Sequence, residues 1–320
     1  MSKYRSALPQ LGPRLFLTDG GLETTLIFHN GLDLPHFASF DLLRTPEGRQ
    51  ALGDYFLPYI ETARQARMGF VLEAPTWRAN ADWGARLGYA PEALAAVNRD
   101  AIALMAELRR AHEAPEMPMV ISGNIGPRGD GYVAGAEMTP EAAAAYHDAQ
   151  VAAFADTEAD MVSAFTMTTV SEALGIVLAA RRHGLPVVIS FTLETDGLLP
   201  NGVPLREAIE TVDAATGAAP AYYMINCAHP AHFPLTPESG GDWVGRIRGI
   251  RANASRRSHA ELDSAPDLDA GDPVELGHQY RDLLRAFPQL RVLGGCCGTD
   301  HRHVARICAS CGGDGRLVAA

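Results

Sequence analysis

The chain has 320 residues, of which 47% are hydrophobic, and its formal net charge at pH 7 is −11. This length allows one large domain or two ordinary ones, and the acidic balance argues against a general nucleic-acid or membrane-surface binder. There is no apolar run of the roughly 18 residues that predict a membrane span, and no apolar stretch of signal-peptide type at the N-terminus. The five cysteines suit a reducing compartment, and we therefore expect a cytoplasmic protein.

Lysine is almost absent from the sequence. Lys3 is the only one, and it lies in an N-terminal tail that we expect to be loose. Schiff-base catalysis requires a lysine amine held in a desolvated position. The sequence therefore argues against a Schiff-base aldolase and against a pyridoxal-phosphate enzyme.

Short apolar runs alternate with longer helical segments along the chain. After a tail over residues 1–13, the pattern predicts strands at 15–18, 70–74, 119–124, 160–165, 186–193, 221–227, 248–253 and 291–295. It predicts helices at 50–68, 91–111, 139–157, 171–183, 204–216, 273–286 and 301–311. Strands that alternate with helices indicate a parallel sheet with helical crossovers.

Eight such units favour a single-domain (β/α)8 TIM barrel over residues 14–320. The alternative is a doubly wound open sheet, although no Gly-x-Gly-x-x-Gly follows the first strand to support a dinucleotide-binding version. The polar, acidic stretch 255–272 is explained by one long loop as well as by a domain boundary.

Three cysteines follow predicted strands. One strand ends at Cys227, and another leads into Gly294-Gly295-Cys296-Cys297-Gly298. Active sites of such barrels lie at the C-terminal ends of the strands, so the three thiols can meet across the barrel mouth. Three thiolates suit zinc, and three protein ligands leave the fourth position open, as in catalytic zinc sites. From the spacing alone, three buried free thiols, or a disulfide between the adjacent pair, remain open.

Other polar residues at predicted strand ends share that rim. They are Asp19, Glu23, Thr76, Asn124, Thr166, Asn226 and Asn253. Cys308 and Cys311 fall late in the last helix, where we expect packing residues, the alternative being a structural metal knot with Cys297, His301 or His303.

Four motifs resemble the zinc-dependent homocysteine S-methyltransferases, which include the S-methylmethionine- and betaine-dependent enzymes. They are Asp19-Gly20-Gly21, Ser190-Phe191-Thr192-Leu193, Ile225-Asn226-Cys227 and Gly294-Gly295-Cys296-Cys297-Gly298. The resemblance extends from about residue 14 to 312. It implies a (β/α)8 barrel, a Zn²⁺ cofactor with Cys227, Cys296 and Cys297 as ligands, and the acceptor thiol as fourth ligand.

The sequence departs from this family at two substrate-binding positions. At the end of the fourth strand, where the family carries Glu-Thr, the chain has Phe165-Thr166. After the second strand, the usual Thr-Tyr-Gln reads Thr76-Trp77-Arg78. These changes leave the metal chemistry intact and leave the donor and acceptor open.

The chemistry of such a site can be derived from its charges. A metal-bound thiol is deprotonated, and a thiolate-rich centre favours a cationic methyl donor such as a sulfonium or quaternary ammonium. Trp77, Phe191 and Tyr222 are candidates to contact that cation through their rings. Asp19 and Glu23 are candidates to hold a substrate ammonium.

The predicted substrate-binding set is Asp19, Gly20, Gly21, Glu23, Thr76, Trp77, Asn124 and Asn226. Three of these features also have a purely structural interpretation: the Asp-Gly-Gly run as an ordinary turn, Trp77 as core, and Asn226 as the cap of its own turn. We expect a methyltransferase that converts homocysteine to methionine with a small onium donor. Its partners would be small molecules, with neither nucleic acid nor membrane, and a homo-oligomer is compatible with the sequence.

Two alternatives remain. One is the same chemistry on another thiol or a selenol, or demethylation of an onium compound. The other is a barrel with a structural zinc and no methyl transfer.

Overall fold

Eight parallel strands form a closed barrel in chain order. They are β1 (Phe16–Leu17), β2 (Gly69–Glu73), β3 (Met119–Ile125), β4 (Met161–Met167), β5 (Val187–Phe191), β6 (Tyr222–Asn226), β7 (Ile247–Ala252) and β8 (Val292–Gly295). Since β1 pairs with both β2 and β8, the sheet has no free edge. The predicted (β/α)8 barrel is confirmed, and the doubly wound alternative is excluded. The computed structural model describes residues 2–233, 235 and 240–312.

Helices surround the barrel and connect its strands. They are α1 (Leu22–Phe28), α2 (Pro46–Ala66), α3 (Ala81–Arg86), α4 (Pro91–His112), α5 (Pro140–Ala155), α6 (Val170–Arg182), α7 (Leu205–Thr216), α8 (Asp242–Gly245), α9 (His259–Asp263), α10 (Pro273–Ala286) and α11 (His301–Gly312). Among the described residues, no helix is long and apolar enough to cross a membrane.

The ends of the main helices follow from capping chemistry. Thr139 accepts a hydrogen bond from the backbone of Ala142, and Gly217 ends α7 in the left-handed conformation, both as the sequence predicts. The second helix begins earlier than expected, because Thr45 caps it and Pro46 occupies its first turn. The short helices α1, α3, α8 and α9 were not predicted, since one or two turns carry little periodic signal.

The barrel interior has two levels that differ in polarity. Near the start of the strands it is apolar, with Phe16, Val71, Met161 and Tyr222 in one buried cluster. Toward the C-terminal ends the inward positions become polar, and they include Glu73, Ser122, Ser163 and Arg251. The interior thus changes from a packed base to a charged floor beneath the rim.

The N-terminal segment closes the base of the barrel and is not the loose tail that the sequence suggested. Gln10 is fully buried, and its amide lies 3.4 Å from the Tyr222 hydroxyl. The backbone nitrogens of Lys3 and Tyr4 donate to the Asp160 carboxylate at 2.8 and 2.7 Å. Residues 2–13 therefore belong to the same folded unit as the barrel.

Candidate active site

Three cysteine sulfurs meet at the C-terminal rim. Cys227 follows β6, and Cys296 and Cys297 follow β8; their Sγ atoms all lie within 4.8 Å of one another. Cys227 and Cys296 are paired as a disulfide with Cα atoms 5.5 Å apart, and the Cys297 sulfur is 3.9 Å from that of Cys227. In the described part of the chain, this is the one group of His, Cys, Asp or Glu side chains arranged to hold a metal ion.

Local backbone geometry brings these sulfurs together. Cys227 has a left-handed backbone with φ of 53°, an uncommon conformation for a residue other than glycine. On the opposite side, a Cβ at Gly21 would lie 2.6 Å from the Cys296 carbonyl oxygen, and one at Gly20 would lie 2.8 Å from that of Thr299. The glycine pair is therefore needed so that the loop after β1 can lie directly against the two-cysteine loop.

A second layer of side chains supports the sulfurs. The Tyr132 hydroxyl donates to the Cys297 sulfur at 3.2 Å, and its ring stacks on that of His259 with centroids 4.2 Å apart. The Nε2 atom of His259 donates to the Cys227 carbonyl at 2.6 Å, while Nδ1 contacts Glu194 at 3.0 Å. Burial raises the pKa of the Cys297 thiol, so a bound metal ion would be needed to hold it as the thiolate near neutral pH.

The sulfurs line a cavity of about 360 Å³ at the barrel mouth. Among the described residues, its wall carries seven carboxyl groups and two guanidinium groups: Asp19, Glu23, Glu73, Asp130, Asp263, Asp267, Asp269, Arg78 and Arg251. Its aromatic members are Phe28, Phe37, Trp77, Tyr132 and Phe165. A negative, partly aromatic cavity favours a cationic guest.

Asp19 and Glu23, the predicted ammonium ligands, both line the cavity but already have protein partners. Asp19 accepts from the Tyr55 hydroxyl at 3.0 Å and forms an ion pair with Arg251 at 3.0 Å. Glu23 accepts from the Ser39 hydroxyl at 2.7 Å, and burial raises its pKa. The position of Asp19 indicates that it orients Arg251.

The remaining predicted substrate residues divide into cavity and support positions. Gly20, Gly21, Trp77, Asn124 and Asn226 line the cavity. Thr76 does not: it is fully buried, and its hydroxyl donates to the Asn124 carbonyl at 2.7 Å. The amide of Asn226 links strands, since Oδ1 accepts from the Thr166 backbone and the Ser190 hydroxyl at 2.9 and 2.6 Å.

Two of the three aromatic residues that were predicted to contact the donor cation lie outside the cavity. Phe191 is in the outer core, stacked on Tyr223, and Tyr222 is in the apolar base of the barrel, so neither lines the cavity. Phe191 points outward because successive strand residues face opposite sides of the sheet. Tyr222 points inward but lies in the base, and the charged floor separates the base from the mouth. Trp77 does line the cavity, with one ring face covered by the Arg78 guanidinium at 4.3 Å.

The last helix carries its cysteines as packing residues. Cys308 and Cys311 lie on α11 and are buried in the hydrophobic core, and the Cys308 sulfur lies 4.0 Å from that of Met68. Neither belongs to a metal-binding group among the residues that the structure describes.

Four site residues were missed from the sequence: Glu73, Tyr132, Arg251 and His259. Glu73 and Arg251 carried a signal, because each is a charge at the end of an apolar strand and is buried in the barrel. Tyr132 and His259 carried none, since their positions depend on how two long loops fold over the rim. The loop 255–272 is a wall of the cavity and not a linker.

The fold and this site together define a (β/α)8 barrel enzyme with a cysteine cluster suited to binding a metal ion. The chain matches the sequence profile of the homocysteine S-methyltransferase family over residues 16–311 and belongs to that family. It is therefore a methyltransferase whose acceptor is homocysteine, and its substrates are small molecules.

Solved structures of the homocysteine methyltransferase MmuM from Escherichia coli have the same fold. The oxidised form superposes with a TM-score of 0.74 at 20% identity, covering 96% of this chain and 99% of that one. The metallated form gives 0.70 at 20% identity, with 95% and 98% covered. No curated protein sequence matches the chain.

Proposed function

We propose that the chain transfers a methyl group from a small onium donor to homocysteine, using Zn²⁺ held by Cys227, Cys296 and Cys297, and releases methionine. The observation that carries the proposal is the convergence of three cysteine sulfurs on one wall of a substrate-sized cavity. Tetrahedral zinc with Zn–S bonds of about 2.3 Å places neighbouring sulfurs about 3.8 Å apart. The sulfurs of Cys227 and Cys297 are 3.9 Å apart, and Cys296 fits once its disulfide is reduced.

A zinc ion in this site would supply deprotonation of the acceptor thiol, whose pKa is about 8.5 when free. The chain's own residues prepare the ligands. Tyr132 donates to the Cys297 sulfur, and His259 fixes the Cys227 backbone. Such outer contacts orient the ligands and tune the metal.

The donor's class follows from the charge of the cavity. In the described part of the chain, acidic groups outnumber guanidinium groups on the cavity wall by seven to two, which favours a cationic guest, and five aromatic rings line it. In the transfer, a new sulfur–methyl bond forms as the donor's bond to that methyl group breaks, and the donor leaves with the bonding electron pair, neutral at its former onium centre. Alignment of the two reactants is the main contribution of the protein. Because Arg78 covers one face of Trp77, the onium group would contact the other face or the remaining rings.

The proposed substrate-binding residues divide into those that line the cavity and one that supports a cavity residue from behind. Asp19, Gly20, Gly21, Glu23, Trp77, Asn124 and Asn226 form the cavity, while Thr76 positions Asn124. The proposal is supported by the position of the cavity, whose lining includes the three cysteines.

The decisive experiment measures zinc content and methyl transfer in reduced wild-type protein, Cys227→Ser and Cys308→Ser. Homocysteine is offered with S-methylmethionine, betaine or S-adenosylmethionine in parallel. We expect about one zinc per chain and turnover with one donor in wild type and Cys308→Ser, and loss of both in Cys227→Ser.

Two outcomes would contradict the proposal. If Cys227→Ser retains zinc and activity, the cysteines are not the metal site. If the zinc X-ray absorption spectrum does not change when homocysteine is added, the metal is structural.

A further inference from the structure

The fourth strand lacks a carboxylate at the rim. Phe165 lines the cavity there, and its ring centre lies 5.0 Å from the Arg251 guanidinium. An aromatic ring cannot neutralise an ammonium as a carboxylate does. Homocysteine carries an α-ammonium, which must find another anion in the cavity.

Glu73 supplies a carboxyl group there, and a bound ammonium would favour its ionised form. It is the last residue of β2, 3% exposed, and it lines the cavity. Its Oε1 accepts from the Ser163 hydroxyl at 3.3 Å, and the Ser122 hydroxyl and the Arg251 guanidinium also face the carboxyl group. Its Oε2 nevertheless has no hydrogen-bond partner among the described residues. A buried carboxylate oxygen without a partner is costly, so this atom is available for a ligand donor.

A second buried oxygen near Glu73, the Oδ1 atom of Asn124, also lacks a hydrogen-bond partner among the described residues. Asn124 lies on the adjacent strand β3, two residues beyond Ser122, which is paired with Glu73 in the sheet. Residues two apart on a strand face the same side, so Asn124 is directed inward, and it lines the cavity. An ammonium offers three N–H donors and can satisfy both oxygens.

The other carboxylates near the floor differ from Glu73, because neither has a buried oxygen without a partner among the described residues. Asp19 is held by Tyr55 and Arg251, and Glu23 by Ser39. Arg251 also donates to the Gly295 carbonyl at 2.9 Å, immediately before Cys296. Arg251 therefore connects the floor, where Glu73 lies, to the sulfur cluster.

We propose that Glu73, assisted by Asn124, binds the α-ammonium of homocysteine and replaces the missing carboxylate of the fourth strand. This inference rests on the proposed function, since it assigns the recognition of that acceptor. A charged hydrogen bond of this type contributes about 1.5–3 kcal/mol, or roughly a 10- to 150-fold effect. Glu73 then selects amino-acid thiols over simple thiols.

The test compares two acceptors that differ only in the ammonium: homocysteine and 4-mercaptobutanoate. In wild type, we expect homocysteine to have the higher kcat/KM and the tighter binding by calorimetry to the zinc-loaded protein. In Glu73→Gln, homocysteine should lose about 10- to 100-fold in both, and 4-mercaptobutanoate should change by less than about 3-fold. Glu61→Gln, on the exposed surface of α2, is the control, and there the ratio between the two thiols should stay within about 3-fold of wild type. Glu23→Gln tests the competing carboxyl group of the cavity wall.

Three results would overturn the assignment: equal losses on both thiols in Glu73→Gln, no loss at all, or a selective loss in Glu23→Gln instead. Zinc content and thermal midpoint of each variant show that it is folded. Absence of turnover in wild type would count against the proposed function, whereas calorimetry needs no donor and still decides the role of Glu73. Wild-type protein that binds neither thiol overturns both.

Discussion

Glu73 is an acid buried in the barrel floor, with Arg251, Asp19, Ser122 and Ser163 facing it. Burial raises its pKa from 4.5 to about 7. Between those values the unfolded chain has released the proton while the folded chain keeps it, so the free energy of unfolding falls as pH rises from 4.5 to 7. Glutamine removes this dependence, and we expect Glu73→Gln to be about 1–3 kcal/mol more stable than wild type at pH 8 and near equal at pH 4.5. Urea unfolding of the ligand-free protein at both values measures it.

The exposed Glu61 on α2, which pairs with Arg64 at the surface, offers the control. Glu61→Gln should leave the difference between the two pH values as in wild type, because exposed pairs contribute little. If Glu73→Gln and wild type keep a constant separation at all pH values, the pKa of Glu73 is the same in the folded and the unfolded chain, and burial does not raise it.

The sequence predicted the position of a site residue only where that residue directly follows a strand. Cys227, Cys296 and Cys297 follow strands directly, so the fold brings them to one rim, and the structure does so. Their role as zinc ligands stays a prediction. The engagement of Asp19 by Arg251 was not predictable, because it depends on which side chains of β1 and β7 meet inside the closed barrel.

At the scale of an element, the loop that joins β1 to α1 controls the shape of the sulfur cluster. Gly21 lies against the Cys296 carbonyl, and both sides of that contact are backbone, so no rotamer change can relieve a clash. We expect Gly21→Ala to displace Cys296, to reduce zinc content to less than about half, and to lower methyl transfer by more than about tenfold. Zinc analysis and steady-state kinetics on the purified variant measure this.

Gly53 is the matched control, since it lies within α2 and a Cβ there meets nothing within 4 Å. Gly53→Ala should keep zinc and activity and gain about 0.5–1 kcal/mol in stability, as expected in a helix interior. Full zinc occupancy in Gly21→Ala would show that the cysteine loop is not held by this contact.

Long elements were predicted from the sequence, and short ones were not. The strands and long helices carry repeated apolar patterns and caps, such as Thr139 before α5. By contrast, α9 has five residues, and its capping box at Ser258 and Glu261 lies within a polar stretch. That helix nevertheless carries His259, which supports the cluster. Functional loops at a barrel rim are set by tertiary contacts more than by local pattern.

Over the whole molecule, the two ends of the barrel have different tasks. The rim carries the cavity and the cysteines, whereas the base is closed by the N-terminal segment. Asp160, a fully buried carboxylate just before β4, lies at this end of the barrel. It accepts from the Arg109 guanidinium at 2.7 Å and from the backbones of Lys3, Tyr4 and Ile121. One side chain thus joins the N-terminal segment, α4 and β3.

We therefore expect Asp160→Asn to lower the free energy of unfolding by about 3–5 kcal/mol, because it removes the buried charge that pairs with Arg109 and puts an amide donor where four donors converge. Arg109 then keeps only the partly exposed Glu158, at 3.1 Å, as a counter-ion. The folded fraction should keep its zinc, and the KM for homocysteine should stay within about twofold. Asp148→Asn, which breaks an ion pair with Arg182 at the surface, should cost less than about 1 kcal/mol. Denaturant unfolding and steady-state kinetics separate these quantities. A changed KM in Asp160→Asn without loss of stability would mean that the base is coupled to the site, against the division in which the lower face of such barrels serves stability and the upper face serves catalysis.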